Sequence, residues 1–160
     1  MENNLREFSE TVIEIKRISK KTKGGNTIRF SALVVVGDKK GRVGLGLAKA
    51  GDVSGAIQKS IAAAKRKMFR APLRGTTLPY SVNEKFSAAR VLIKPAPKGS
   101  GIIAGGAIRV VLEAVGVTDA VGKILGTKNK ASNVYATLNA LKKLAYFDMI
   151  KNMKEGINEL

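Results

Sequence analysis

A chain of 160 residues with 29 Lys and Arg against 12 Asp and Glu carries a formal charge of +17, a surplus that attracts polyanions and exceeds what solubility requires. It has no histidine and no cysteine, which removes the commonest general base, the commonest soft nucleophile, any disulfide framework and nearly all transition-metal sites. Hydrophobic residues at 44% suffice for a packed core, whereas aromatics at 5% with no Trp argue against an RNA-recognition-motif sheet or a base-stacking groove.

The N-terminal segment Met1–Glu7 is polar, with no apolar stretch of a secretory signal and no Arg/Ser-rich leader, so a soluble cytoplasmic protein is expected. Thr11–Ile18 reads as a strand, with Ile13 and Ile15 on one face and Val12 and Ile18 on the other. A basic segment follows, expected as a loop between strands. Lys16, Arg17, Lys20, Lys21 and Lys23 precede Gly24-Gly25-Asn26, and Arg29 comes just after. Flexible cations neutralise phosphates, and a glycine pair lets backbone N–H groups approach phosphate or sugar. A solvated hairpin loop is the plainer reading of the same residues.

Ile28–Val36 has an apolar residue at every even position, a strand pattern, and Gly37–Gly41 is a turn cluster. In Arg42–Ala48, Val43, Leu45 and Leu47 alternate with Gly44, Gly46 and Ala48. One face is bulky and the other nearly bare, as where a helix or another backbone comes close. Asp52 is placed to cap a helix running to about Phe69, with an apolar stripe of Val53, Ile57, Ile61, Ala64 and Met68. Its outer face is basic, with Lys59, Lys67 and Arg70, and Lys65 and Arg66 nearby.

Ala71–Pro79 breaks the pattern and marks the expected boundary between domains 1–72 and 73–160. The first has 16 basic and 6 acidic residues, the second 13 and 6, so both are basic. The second half predicts a strand at Ala89–Lys94, a Gly/Pro loop at Pro95–Gly101, a helix from about Gly105 to Val115 with Ile108, Val111, Leu112 and Val115 inward, and a short strand within Val117–Leu125. A last helix is expected over Asn133–Ala145, on Val134, Leu138, Leu141 and Ala145, with Lys151–Leu160 as a loosely attached tail. The uncharged run Gly99–Ile108 spans ten residues, far short of the roughly 20 apolar residues of a membrane span.

Gly101, Ala104, Gly105, Gly106 and Arg109 form a second glycine cluster ahead of a helix. It suits either an anion nest or a close-packed loop–helix junction, and the residues leave both open. No Walker pattern is present: between Gly116 and Gly122 five residues stand where four are needed, and Ile124 occupies the hydroxyl position. Glu10, Glu14 and Asp38 make no acid/base pair, so no catalytic site, cofactor, metal or small-molecule substrate is expected.

The run Arg17–Gly25, then Phe30–Asp38 and Gly41–Gly46, and later Lys94-Pro95-Ala96 leading into Gly101–Glu113, resembles the bacterial small-subunit ribosomal protein S-five family from about Val12 to Leu144. The resemblance implies an α+β, two-domain fold. Its N-terminal domain would be a double-stranded-RNA-binding-like sheet with a helix, and its C-terminal domain an α/β sandwich with a left-handed βαβ crossover. It implies a structural constituent of the small ribosomal subunit that binds small-subunit rRNA, touches ribosomal proteins S-four and S-eight, helps line the path along which mRNA enters and influences accuracy. By position, Lys23, Gly24 and Gly25 fall in the family's spectinomycin-site loop. Gly101, Ala104, Gly105, Gly106 and Arg109 fall on the side that meets S-four. The chain departs from the family pattern at Tyr80, Pro97–Ser100 and Lys130–Asn133. Two other classes are a general DNA-compacting protein and, with less support, a nucleotide-using enzyme on the C-terminal domain.

Overall fold

The computed structural model describes residues 8–158, so the polar segment 1–7 and residues 159–160 of the expected tail lie outside the described residues. Strands β1 (Ser9–Thr22), β2 (Gly25–Gly37) and β3 (Arg42–Ala50) form an antiparallel meander. A two-residue strand, β4 (Phe69–Arg70), completes the sheet in the order β1-β2-β3-β4. Beyond Phe30, β2 is buried on both faces. Ala32, Val34 and Val36 lie under helix α1 (Val53–Arg66), while Leu33 and Val35 join the core of the second half. The alternation at even positions therefore marks only one of two covered faces.

Asp52 caps α1 as its position suggested, its carboxylate accepting the Gly55 N–H at 3.0 Å. The bare face of β3 is where α1 lies. A β-carbon on Gly44 would strike the main chain of Ala64, and one on Gly46 the main chain of Ser60. Ser60 is fully buried and shares its hydroxyl proton between the carbonyls of Ala32 and Ala56, both at 2.8 Å, pinning helix to sheet. That proximity alters the expected stripe. The buried line is Ala56, Ser60 and Ala64, with Ile57 and Ile61 half-buried beside it and Val53 exposed. Small side chains take the contact line because nothing larger fits between backbones this close. The helix also ends at Arg66 rather than near Phe69, because Phe69 and Arg70 turn back to pair with Val43 and Arg42.

The second sheet runs β5-β6-β8-β7, from β5 (Val82–Phe86), β6 (Ala89–Pro95), β7 (Ile102–Ile103) and β8 (Ala120–Ile124). Helix α2 (Gly106–Val115) connects β7 to β8, which pair in parallel, so these elements form a βαβ unit in an otherwise antiparallel sheet. Helix α3 (Lys130–Asn158) packs on β5, β6 and α2. Strands β5 and β7 have no counterpart in the sequence reading: β5 is mostly polar and β7 is two residues long. The four inward residues expected on α2, Ile108, Val111, Leu112 and Val115, are all fully buried. Helix α3 spans 29 residues, so 151–158 is helix and not a loose tail. Lys151, Met153, Lys154 and Glu155 are good helix formers, and a Lys151–Glu155 pair at 3.7 Å, four residues apart, supports the last turns despite Asn152 and Gly156.

The expected boundary at residue 72 falls in the linker between β4 and β5, yet one hydrophobic core crosses it. Leu33, Val35, Val43 and Leu45 of the first sheet pack with Ile93, Ile108, Val111 and Leu112. Backbone hydrogen bonds reinforce the junction, from Lys39 N to the Ala114 carbonyl at 3.1 Å and from Gly41 N to the Val115 carbonyl at 2.8 Å. The molecule is a two-domain α+β protein whose first sheet is clamped between its own α1 and the second domain's α2.

Candidate nucleic-acid interface

The basic segment expected as a loop is a paired hairpin. Register runs without a break from Glu14↔Leu33 to Thr22↔Gly25, which leaves only Lys23 and Gly24 as the turn. Thr22 Oγ1 donates to the Gly25 carbonyl at 2.9 Å across that turn. The two glycines are not equivalent. Gly25 has φ +133, which side-chain-bearing residues rarely adopt, whereas Gly24 has open space around it and no such angle.

Strand β3 accompanies β2 only from Phe30, paired with Ala50, to Gly37. Residues Ile18–Thr22 and Gly25–Arg29 therefore extend past the sheet as a two-stranded finger, roughly 17 Å long for five residues per strand. From Ser19 to Arg29 every residue is exposed. Alternation distributes the cations to both sides. Arg17, Lys21 and Asn26 lie on the face that carries α1 nearer the core, Lys20 and Arg29 on the opposite face, and Lys23 at the tip. The finger is thus basic all round rather than a one-sided patch.

The remaining predicted cations do not join it. Lys59 is exposed midway along α1, Lys67 is the C-cap of that helix, and Arg70 pairs with Arg42 on β3. Arg42 sits at the end of β3 paired toward Gly37, seven residues of β2 from Phe30, so Arg70 is roughly 24 Å along the sheet from the base of the finger. Two basic zones result, the finger and a far-end group of Arg42, Lys67 and Arg70. At that far end the Arg42 guanidinium lies 5.3 Å from the Phe8 ring centroid. Lys65, on the same helix end, is held by Glu10 at 3.1 Å.

The second glycine cluster divides as well. Gly99 N and Gly101 N both donate to Asp119 Oδ1, at 3.1 and 2.9 Å, so the loop's N–H groups already enclose a carboxylate of the chain itself. Asp119 is 3% exposed, and sequence reading missed it, since one acid before a strand carries no periodic signal. Its pKa is lowered from the ordinary aspartate value, chiefly by the Thr76 hydroxyl and then by the Gly101 N–H, with the Gly99 N–H and the Thr118 hydroxyl adding to this and burial opposing it. The main-chain N–H groups of Thr118 and Asp119 donate to the Thr76 carbonyl at 3.0 and 3.1 Å, so the linker is anchored here by main chain as well as by the Thr76 hydroxyl on the carboxylate. The rest of the cluster stays on the surface. Gly105 is the N-cap of α2 with no side-chain cap, Gly106 is exposed, and Ala104 is half-buried. Arg109 is exposed and paired with Glu113 at 3.1 Å.

Among the described residues no group of three or more His, Cys, Asp or Glu could hold a metal ion, and no helix is long and apolar enough to cross a membrane. Compared with known families, residues 8–72 match the model of ribosomal protein S5, N-terminal domain, and residues 84–154 that of ribosomal protein S5, C-terminal domain.

Proposed function

Because the chain belongs to the ribosomal protein S5 family, structural and non-enzymatic constituents of the small ribosomal subunit in the cytoplasm, we propose that its β1–β2 finger is the principal rRNA contact. The observation that carries this reading is a two-stranded projection past the core with Lys20, Lys21, Lys23 and Arg29 spread over both faces and the tip, and Arg17 at its base. A solvated loop needs no such paired, extended framework. A finger that reaches between RNA segments does, because the ladder holds the cations at fixed spacing before binding. Affinity then comes mostly from counterion release, and specificity from RNA shape and neighbouring proteins.

In this reading residues 1–72 form the rRNA-binding domain and 73–160 the C-terminal domain. Lys23, Gly24 and Gly25 take the spectinomycin-site position, with Lys67 and Arg70 in a second, separate contact zone and Lys59 as a contact midway along α1 between the two. Gly101, Ala104, Gly105, Gly106 and Arg109 face ribosomal protein S-four. The exposure of Gly105, Gly106 and Arg109 and the internal carboxylate beneath Gly99 and Gly101 favour a protein contact over a phosphate nest. Contact with ribosomal protein S-eight, a share in the path along which mRNA enters, and an influence on accuracy complete the proposal. The test is co-sedimentation: the native protein should travel with small subunits and be released only by high salt. Release at low salt, or none at all, contradicts it.

A further inference from the structure

The second sheet has one covered face and one bare one. Val82, Val91, Ile93 and Ala120 point to α2 and α3 and are buried. The alternate residues point away, and burial follows the alternation: Lys85, Arg90, Lys94, Val121 and Lys123 are exposed, and Leu92 is half-buried. Register fixes their arrangement. Lys85 stands opposite Arg90, Leu92 opposite Lys123, and Lys94 opposite Val121, giving three rows about 7 Å apart with neighbours about 4.8 Å apart. Four cations therefore surround Leu92 on a rigid ladder, with Val121 and its exposed β7 neighbour Ile103 as an aliphatic edge to one side.

No acid interrupts this face among the described residues. Glu84 projects from the opposite side of β5 to Lys143 at 3.5 Å, Glu113 is paired with Arg109 on α2, and Asp119 is buried. Asp148 and Glu155 are on α3. Purely solvent-facing sheet surfaces ordinarily mix charges of both signs. One sign alone, at this density and on fixed strands, fits a polyanion.

We infer that this bare face of the second sheet is a further rRNA-binding surface, with Lys85, Arg90, Lys94 and Lys123 on backbone phosphates and Leu92 and Val121 against sugar. The inference rests on the reading of the protein as an rRNA binder and adds a site outside the finger. The absence of aromatics from the face means that it holds backbone and reads no bases by stacking.

Two measurements on the full chain test it. In the first, K85Q/R90Q/K94Q/K123Q and K20A/K21A/K23A are compared with the unsubstituted protein for rRNA affinity across a salt series. The four sheet residues are exposed, so a melting curve should confirm that the fold is kept. The sheet variant should bind at least tenfold more weakly near 100 mM salt, with a log–log slope shallower by about 2 to 3, at about 0.7 for each single-strand phosphate no longer neutralised. In the second, Asn83→Cys supplies a unique thiol on the same face, since the chain has no cysteine, and a tethered iron chelate there should cleave rRNA in reconstituted subunits. If the sheet variant keeps its affinity and slope while the finger variant loses both, the sheet inference is overturned and the rRNA reading stands. Normal RNA binding with loss of a neighbouring protein from the subunit also overturns it. If the unsubstituted protein shows no salt dependence, the rRNA reading itself fails.

Discussion

Gly37, at the end of β2, lies so close to Ala114 on α2 that a β-carbon at Gly37 would collide with the Ala114 carbonyl. Gly116 repeats the relationship in reverse, its α-carbon facing the main chain of Lys39. The two domains are thus locked backbone to backbone, and the finger is carried on a frame that includes the second domain.

Gly37→Ala should therefore destabilise the whole molecule, by about 1–3 kcal/mol as for overpacking of a close contact. Chemical denaturation followed by probes in either half should show one coincident transition, before and after the substitution. Separate transitions would mean that the shared core does not couple the domains.

The hairpin turn gives a paired prediction. Gly25→Ala meets φ +133, a backbone region left almost wholly to glycine, and should cost about 1–3 kcal/mol, whereas Gly24→Ala, with open space and no positive φ, should be nearly neutral in thermal melting. Equal effects at both positions would show that the turn is not held as described.

Much of this architecture is legible in the residues. The alternation of Val43, Leu45 and Leu47 with Gly44 and Gly46 announces a helix pressed on the strand, and Asp52 announces where that helix starts. What is not legible has physical reasons. Lys20, Lys21 and Asn26 look like loop because no apolar alternation marks a strand that has no core to face, yet ladder pairing continues through them. A hydrophobicity pattern places the helix stripe on Val53, Ile57, Ile61, Ala64 and Met68, of which Ala64 is buried, but close approach selects Ala56 and Ser60 beside it, which such a pattern undervalues. The site is affected likewise: Arg70 reads as the extension of a helix face but lies on β4, away from the finger. Asp119 gives no sign in sequence of organising two glycines about twenty residues earlier.

Asp119 leads to a pH prediction. Its pKa is lowered in the folded protein, so it contributes stability that is fully present above the ordinary aspartate pKa of about 3.9 and is lost as pH falls through the lower native value. Melting temperature should therefore hold steady above about pH 5 and fall on acidification below about pH 4. Asp119→Asn should lower the melting temperature at neutral pH and flatten that acid limb, because the amide cannot accept the same charge-assisted bonds from Gly99 and Gly101. An unchanged acid limb in the variant would assign the loss to other carboxylates.

The central claim is that the β1–β2 finger neutralises rRNA phosphates, and its most direct test is the salt dependence of rRNA binding by K20A/K21A/K23A. With three cations removed from the finger, the slope of log affinity against log salt should become shallower by about 2 to 3, at about 0.7 to 0.9 for each phosphate that regains its counterions. An unchanged slope with unchanged affinity would contradict the account, leaving the finger as solvated surface.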